Sequence, residues 1–179
     1  MKVRVVIVNG IPIVPDLEES RRLFSQFYGK PAGTRRPAPG EVERPLILDA
    51  LELVYLAEKG LVEAEVDGRK LSYEELTEWA KNRVPRFALL YPVYRSLRDM
   101  GFVVRPGLKF GSDFTVYRHG PGIEHSLFVV HVFPPAEKRD PVELVKAGRL
   151  SHSVRKTFVL ATVEPGGKPV YLMLKWFRP

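Results

Sequence analysis

The sequence contains no cysteine, which excludes disulfide bonds and thiolate metal centres and fits a reducing compartment. It also has no apolar run of about 18 residues and no apolar N-terminal signal segment, so we predict a cytoplasmic protein that does not enter a membrane. Asparagine occurs only at positions 9 and 82, and glutamine only at position 26. This scarcity of thermolabile side chains resembles the composition of thermophile proteins.

Acidic side chains are also in short supply. There are 21 Asp and Glu against 28 Lys and Arg, which gives a net charge of +7 and a sequence pI near 9.7. Two explanations fit this excess: an anionic partner, most simply a nucleic acid, or the basic surface of a thermophile protein. Composition alone favours neither. The 179 residues are 45% hydrophobic, which is enough for one mid-sized domain or two small ones with a genuine core.

Residues 1–85 predict a small α+β domain. A strand opens the chain and stops at Asn9 and Gly10, and another strand covers residues 61–66. The stretch 30–45 is rich in proline, glycine and charge, so it predicts a loop. No group of residues in this domain suggests catalysis. Three helices are predicted from a capping residue followed three positions later by glutamate: Asp16 with Glu19 and a stop at Gly29, Asp49 with Glu52, and Ser72 with Glu75.

Residues 86–179 predict an α/β domain, so the whole chain is expected to be α/β in class with two domains. A helix containing Pro92 covers residues 86–100, and five strands with one further helix over 141–147 follow it. Central strands such as FVVHV and FVLATV are apolar on both faces. We therefore expect helices on both sides of the second sheet.

The candidate chemistry lies between Gly107 and Lys156. Two apolar strands are joined there by a loop with Tyr117 at one end and His125 at the other. Cleavage of RNA without a metal requires a base for the ribose 2′-hydroxyl, an acid for the departing 5′-oxygen, and a positive charge for the phosphorane. Tyr117, His125 and Lys156 are the right three types of side chain. Spacing alone does not bring Lys156 to the loop.

Each of these three residues also has an ordinary structural explanation, as a rim aromatic, a solvated loop imidazole and a surface cation. A metal-dependent nuclease is the competing enzyme hypothesis, because Glu65, Asp67 and Lys70 cluster in EVDGRK and Asp113 precedes a strand. The cluster lies on a predicted hairpin turn, where such residues are common. No histidine pair lies on one helical face, and His131 is interpreted as a core residue. We therefore predict neither a metal nor another cofactor.

Four stretches in order carry a family resemblance: KFGSDFTVY, EHSLFVVHV, RLSHSVRKTFVLA and YLMLKW. Together with LDALELVYLAEKG in the N-terminal half, they resemble the catalytic subunits of archaeal tRNA-splicing endonuclease over the whole chain, most strongly from Gly107 onward. The resemblance implies a restriction-endonuclease-like C-terminal domain. It also implies that Tyr117 is the general base, His125 the general acid and Lys156 the residue that stabilises the transition state. The implied reaction is metal-independent transesterification at a bulge-helix-bulge in precursor tRNA, which leaves a 2′,3′-cyclic phosphate and a 5′-hydroxyl.

The resemblance also implies an RNA clamp, because family members hold a bulged base between two flat cationic or aromatic groups. Arg149 matches the first position of this clamp, and Trp176 is the most plausible second. Trp176 also shares a face with Val170, Leu172 and Leu174, so packing in the sheet is an alternative role for its indole.

The turn VEPGGKPV between the last two strands departs from the family pattern. In self-assembling homotetramers this turn is acidic and inserts into a basic pocket of the opposing subunit, whereas here Glu164 is its only acid and Lys168 is added. We therefore predict a heterotetramer of two catalytic and two structural chains, with the structural paralogue supplying the acidic loop. The apolar tail VYLMLKWF would pair with a partner strand. A non-catalytic RNA-binding or assembly subunit of the same complex is the alternative function.

Overall fold

The structure is a computed structural model that describes residues 2–34, 42–108, 111–138, 140–145, 149 and 156–174. The chain divides into two compact units, Met1–Phe87 and Ala88–Pro179. Each unit contains one sheet and helices, so the chain has the two-domain α/β architecture that the sequence predicts. Among the described residues, no helix combines the length and the apolarity that crossing a membrane requires.

In its described residues, the first unit contains three helices and a six-stranded sheet of order β3-β4-β2-β1-β5-β6. β1 pairs in parallel with β5, and the other neighbouring strands are antiparallel. The elements are β1 (Val3–Val8), β2 (Ile11–Val14), α1 (Leu17–Ser25), β3 (Lys30–Pro31), β4 (Leu46–Ile47), α2 (Ala50–Glu58), β5 (Val62–Val66), β6 (Arg69–Lys70) and α3 (Tyr73–Lys81).

All three predicted helix starts in this unit are confirmed, because each predicted capping side chain accepts the expected backbone N–H. The distances from donor N to acceptor O are 2.8 Å for Glu19 to Asp16, 2.8 Å for Glu52 to Asp49 and 3.1 Å for Glu75 to Ser72. In α2 and α3 the glutamate carboxylate also accepts the N–H of the capping residue, which completes a capping box.

Two local predictions for this unit are wrong, and one strand was not predicted. Strand β2 was not expected, although Asn9 and Gly10 adopt φ of 49° and 77°, the left-handed pair that a two-residue hairpin turn requires. Helix α1 ends at Ser25 and not at Gly29, because Phe27 already adopts a φ of 61°. The predicted loop over 30–45 begins with the short strand β3, and residues 35–41 lie outside the described part of the chain.

Glu52 holds α2 to the segment that follows α1. Its side chain is only 2% exposed, and its two carboxylate oxygens accept the backbone N–H groups of Gly29 and Asp49, each at 3.0 Å. Hydrogen bonds of a buried carboxylate to backbone donors are stronger than neutral ones, and an unpaired buried donor is costly. Glu52 is therefore a structural residue of the first core.

The second unit is a five-stranded sheet of order β11-β10-β9-β8-β7, preceded by helix α4. β9 and β10 are parallel, and the other pairs are antiparallel. Residues 141–145 form helical turns in the crossover from β9 to β10, where the N–H of Val142 donates to Asp140 Oδ1 at 2.8 Å. The elements are α4 (Phe87–Asp99), β7 (Val103–Pro106), β8 (Phe114–Tyr117), β9 (Phe128–Phe133), β10 (Thr157–Val163) and β11 (Pro169–Leu174).

Helix α4 packs against one face of this sheet. The rings of Tyr94 and Phe114 lie 6.0 Å apart, and the hydroxyl of Tyr171 donates to the carbonyl of Val93 at 3.5 Å. Strand β11 lies at the sheet edge, and three of its apolar side chains remain 40% to 58% exposed: Val170, Leu172 and Met173.

Candidate active site

Tyr117 and Lys156 lie at the same end of the second sheet, on the two sides of the strand between them. Tyr117 is the last residue of β8, and Lys156 immediately precedes β10. The connection between them is Leu127, whose N–H donates to the carbonyl of Val116 at 2.8 Å and whose carbonyl accepts the N–H of Thr157 at 3.1 Å. Neighbouring strands lie about 4.8 Å apart, so the two backbones are separated by about 10 Å.

The strand register also assigns Tyr117 and Lys156 to the same face of the sheet. Thr115 pairs with Val129, and Val129 pairs with Phe158, so these three side chains share a face. Tyr117 lies two residues from Thr115, and Lys156 lies two residues from Phe158. Because side chains alternate along a strand, this register, continued by one residue to Lys156, assigns the phenol and the ammonium to the same face.

His125 reaches the same end of the sheet from the loop between β8 and β9, two residues before Leu127. Val116 pairs with Phe128, and its carbonyl also accepts the N–H of Leu127. Two successive residues, Leu127 and Phe128, therefore lie opposite one residue of β8, which is the arrangement of a β-bulge. A bulge turns the chain that precedes β9, which is the segment carrying His125. The His125 imidazole is exposed, whereas Tyr117 and Lys156 are half-buried.

The loop from Tyr117 to His125 is held by Glu124. Its Oε1 accepts the backbone N–H of His119 at 2.6 Å. Hydrogen bonds from the backbone of His119, and to a smaller extent from Arg118 and Gly120, hold the pKa of the Glu124 carboxyl below its usual range despite partial burial. The sequence prediction missed this residue, although its position directly before His125 is a usable signal.

The predicted RNA clamp is only partly described. Arg149 is exposed and helical, and it lies in the crossover that leads to Lys156. Trp176 lies outside the described residues, as do the neighbours of Arg149 at 146–148 and 150–155. The role of either side chain in binding RNA therefore stays a prediction.

The acidic residues of the competing metal-nuclease hypothesis have structural partners. Glu65 is paired with Arg4, whose hydrogen bond lowers the pKa of the Glu65 carboxyl. Lys70 lies 2.6 Å from a carboxylate oxygen of Glu63, and Asp67 forms the β5–β6 turn with a φ of 49°. Within the described ranges, no three histidine or acidic side chains are arranged to hold a metal ion.

Two further side chains on the second sheet have structural positions. Asp113 accepts the backbone N–H of Val132 through Oδ2 at 2.7 Å, which ties β8 to β9. The ring of His131 lies 5.0 Å from that of Phe158 and 6.0 Å from that of Phe133. His131 is half-buried, so it packs between aromatic rings without being enclosed in the core.

Comparisons with known proteins show the family of the chain. A family model described as "tRNA intron endonuclease, N-terminal domain" matches residues 3–77, and one described as "tRNA intron endonuclease, catalytic C-terminal domain" matches residues 87–171. The tRNA-splicing endonuclease of Hyperthermus butylicus is 48% identical, covering 99% of both chains. That of Saccharolobus solfataricus is 42% identical, covering 98% of this chain and 99% of the relative. The chain therefore belongs to the tRNA intron endonuclease family and carries the family's N-terminal and catalytic C-terminal domains in that order.

Proposed function

We propose that this chain is the catalytic subunit of a tRNA-splicing endonuclease that cuts precursor tRNA at bulge-helix-bulge intron junctions. The observation that carries the proposal is the position of Tyr117 and Lys156 on one face at one end of the sheet, with His125 in the loop that begins at Tyr117. Full-length similarity to archaeal tRNA-splicing endonucleases supports the substrate class. The chain is accordingly an endoribonuclease, and the two domains of the proposal are residues 1–85 and 86–179.

The proposed reaction is a transesterification within the RNA. Tyr117 accepts the proton of the ribose 2′-hydroxyl, and the 2′-oxygen forms a bond to phosphorus while the bond to the 5′-oxygen breaks. His125 gives its proton to the departing 5′-oxygen, and Lys156 stabilises the charge that develops on the phosphorane oxygens. The products are a 2′,3′-cyclic phosphate and a 5′-hydroxyl. No water is consumed, so the enzyme acts as a tRNA-intron lyase, and the chain's own side chains supply every proton transfer without a metal.

RNA binding in this proposal uses Arg149 and Trp176, whose flat groups would stack on a base that leaves the bulge. An exposed guanidinium in the crossover that leads to Lys156 supports the assignment of Arg149. The net charge of +7 is consistent with a polyanionic substrate.

The proposed partner is a structural paralogue, in a heterotetramer of two catalytic and two structural chains. The exposed turn between β10 and β11 contains Glu164 as its only acid together with Lys168, so it lacks the acidic character that self-assembly in the family requires. Strand β11 presents an exposed apolar edge that a partner strand would cover. The chain purified alone should therefore show little cleavage until the paralogue is added. A fully active homotetramer would contradict this part of the proposal.

The experiment that tests the catalytic proposal is cleavage of an intron-containing precursor tRNA by the assembled enzyme, with and without EDTA. We expect cleavage to survive EDTA, to leave 2′,3′-cyclic phosphate ends, and to disappear in His125→Ala. Loss of cleavage in EDTA would favour the metal-dependent alternative. Wild-type cleavage by His125→Ala would indicate that this chain is the non-catalytic subunit.

A further inference from the structure

We propose that Glu124 is a positioning residue for cleavage. It holds the imidazole of His125 within reach of the 5′-oxygen that leaves in the proposed reaction. The inference rests on the proposed function, because it concerns the loop between the proposed base and the proposed acid. It adds to that function a side chain that takes no part in proton transfer.

The contact made by Glu124 joins the two ends of the loop. Its carboxylate accepts the N–H of His119, which lies two residues after Tyr117, while Glu124 itself is bonded directly to His125. A carboxylate that accepts successive backbone N–H groups fixes their direction more firmly than a neutral acceptor does. The side chain therefore sets the distance between His119, two residues after the proposed base, and Glu124, directly before the proposed acid.

The backbone of the loop is built around the same contact. Gly120 adopts a φ of 125° and Gly122 a φ of 88°, so the chain reverses through conformations that favour glycine. The N–H groups of Ile123 and Glu124 both donate to the carbonyl of Gly120 at 3.3 Å, and Pro121 forms an isolated bridge with Glu124. These backbone bonds are long, so the 2.6 Å bond of the Glu124 carboxylate is the shortest hydrogen bond described within the loop.

Glu124 contributes to the loop and not to the sheet. The pairing of β8 with β9 runs from Phe114 with Val130 to Val116 with Phe128, and it does not include residues 118–126. Removing the carboxylate should therefore leave the sheet, the position of Tyr117 and the position of Lys156 unchanged. What changes is the range of positions open to His125, and misplacement of a catalytic group by about 1 Å can cost about 100-fold in rate.

The test compares three substitutions at position 124 in the assembled endonuclease, using single-turnover cleavage of a short bulge-helix-bulge RNA. Glu124→Ala should lower the cleavage rate roughly 10- to 100-fold, with RNA affinity and thermal midpoint unchanged. Glu124→Gln keeps an oxygen at the same reach but loses the charge, so it should restore part of the rate. Glu124→Asp keeps the charge but withdraws it by one methylene, so it should be slower than Glu124→Gln. Glu74→Ala, which removes an exposed carboxylate on α3, is the matched control and should cleave at the wild-type rate.

The order of the two conservative variants decides between positioning and charge. If Glu124→Asp cleaves faster than Glu124→Gln, or if all three variants cleave at the wild-type rate, the proposal is wrong. A rate loss that follows RNA affinity or thermal stability would also overturn it. Tyr117→Phe, His125→Ala and Lys156→Ala are measured alongside. Wild-type cleavage by those three variants would overturn the proposed function itself, whereas their inactivity with a normal Glu124→Ala would overturn only the role of Glu124.

Discussion

Both units contain a glutamate whose carboxylate accepts backbone N–H groups across a gap in the sequence, but the two are used differently. Glu52 is buried and ties Gly29 and Asp49 together inside the first unit. Glu124 is only half-buried, and it accepts the N–H of His119 within the loop between β8 and β9 at the end of the second sheet. The same hydrogen-bonding chemistry stabilises a core in one place and orders the loop between the proposed base and acid in the other.

The burial of the carboxylate determines whether such a hydrogen bond contributes mainly to stability or mainly to local geometry. A buried carboxylate with two backbone donors cannot be replaced by water, so its loss acts on the free energy of unfolding. A half-buried carboxylate in a surface loop can be replaced by water at little cost in stability, so its loss acts on the geometry of the loop. Substitution of Glu52 should therefore lower the free energy of unfolding, whereas substitution of Glu124 should lower the cleavage rate.

The largest expected effect separates two lysines that lie one in each unit. Lys156→Ala should lower single-turnover cleavage by about 100- to 1,000-fold, because it removes the proposed positive charge beside the phosphorane. Lys70→Ala removes the same charge from the ion pair with Glu63 and should leave the rate within about twofold. Cleavage kinetics at saturating enzyme provide the measurement, and equal losses in the two variants would remove the distinction between the units.

Glu52→Ala should lower the free energy of unfolding by about 3 kcal/mol, because it leaves the N–H groups of Gly29 and Asp49 without their carboxylate. Chemical denaturation measures this change, and cleavage per folded molecule should stay at the wild-type level. Glu52→Gln keeps one acceptor oxygen and should show about half of the loss. A stability change below about 1 kcal/mol in Glu52→Ala would show that burial does not separate Glu52 from Glu124.

Two glycines in equivalent turns test how the first unit packs. Gly68 has a φ of 78° with open space around it, so Gly68→Ala should cost about 1 kcal/mol from the backbone alone. Gly10 has a φ of 77°, but an added Cβ would clash with the guanidinium of Arg83, which stacks 5.0 Å above the Trp79 ring. Gly10→Ala should cost about 2 kcal/mol, since the cation–π contact is lost as well.

The control for this pair is the Arg83→Ala background, in which the two glycine substitutions should become equally costly. Thermal and chemical unfolding of the four variants supply the comparison. If Gly10→Ala and Gly68→Ala lower the free energy of unfolding equally in the wild-type chain, the stacked guanidinium does not contribute to the stability of the first unit.

The smallest expected effect is a loss of folding stability at acidic pH. Hydrogen bonds from Lys70 and Arg4 lower the pKa values of Glu63 and Glu65, and backbone donors lower that of Glu124. A glutamate whose folded pKa is lowered contributes stability above its unfolded pKa of about 4.3 and loses it as the pH falls through the folded value. Stability should therefore be flat from pH 7 to about pH 5 and should fall below about pH 4. Guanidinium unfolding at several pH values checks this, with a shallower fall in Glu65→Gln.

Local structure followed from the sequence wherever the determining residues are neighbours. The caps at Asp16, Asp49 and Ser72 are three-residue patterns, so their helices start where predicted. The β1–β2 hairpin carried an equally local signal in Asn9 and Gly10, which was interpreted only as the end of a strand. Proline and glycine in the segment after Gly29 suggested a loop, but pairing with β4 extends Lys30 and Pro31 into a strand.

The candidate site was predictable in its residue types but not in its geometry. Tyr117 and His125 are close in sequence, whereas the place of Lys156 depends on the parallel register of β9 and β10. The bulge at Leu127 and the contact of Glu124 with His119 depend on loop conformation, which leaves no periodic pattern in the sequence. The sequence patterns did not predict the non-local strand pairing or the irregular backbone of the loop.

The parallel pairing of β9 with β10 also has a consequence for the order in which the enzyme becomes active. The proposed base and acid belong to one antiparallel hairpin, which forms from neighbouring residues, while Lys156 reaches its place only after the crossover has closed. Parallel pairing over a long connection is slow compared with hairpin formation. A chain in which this crossover has not yet closed therefore has the proposed base and acid in place but lacks the proposed stabilising charge of Lys156.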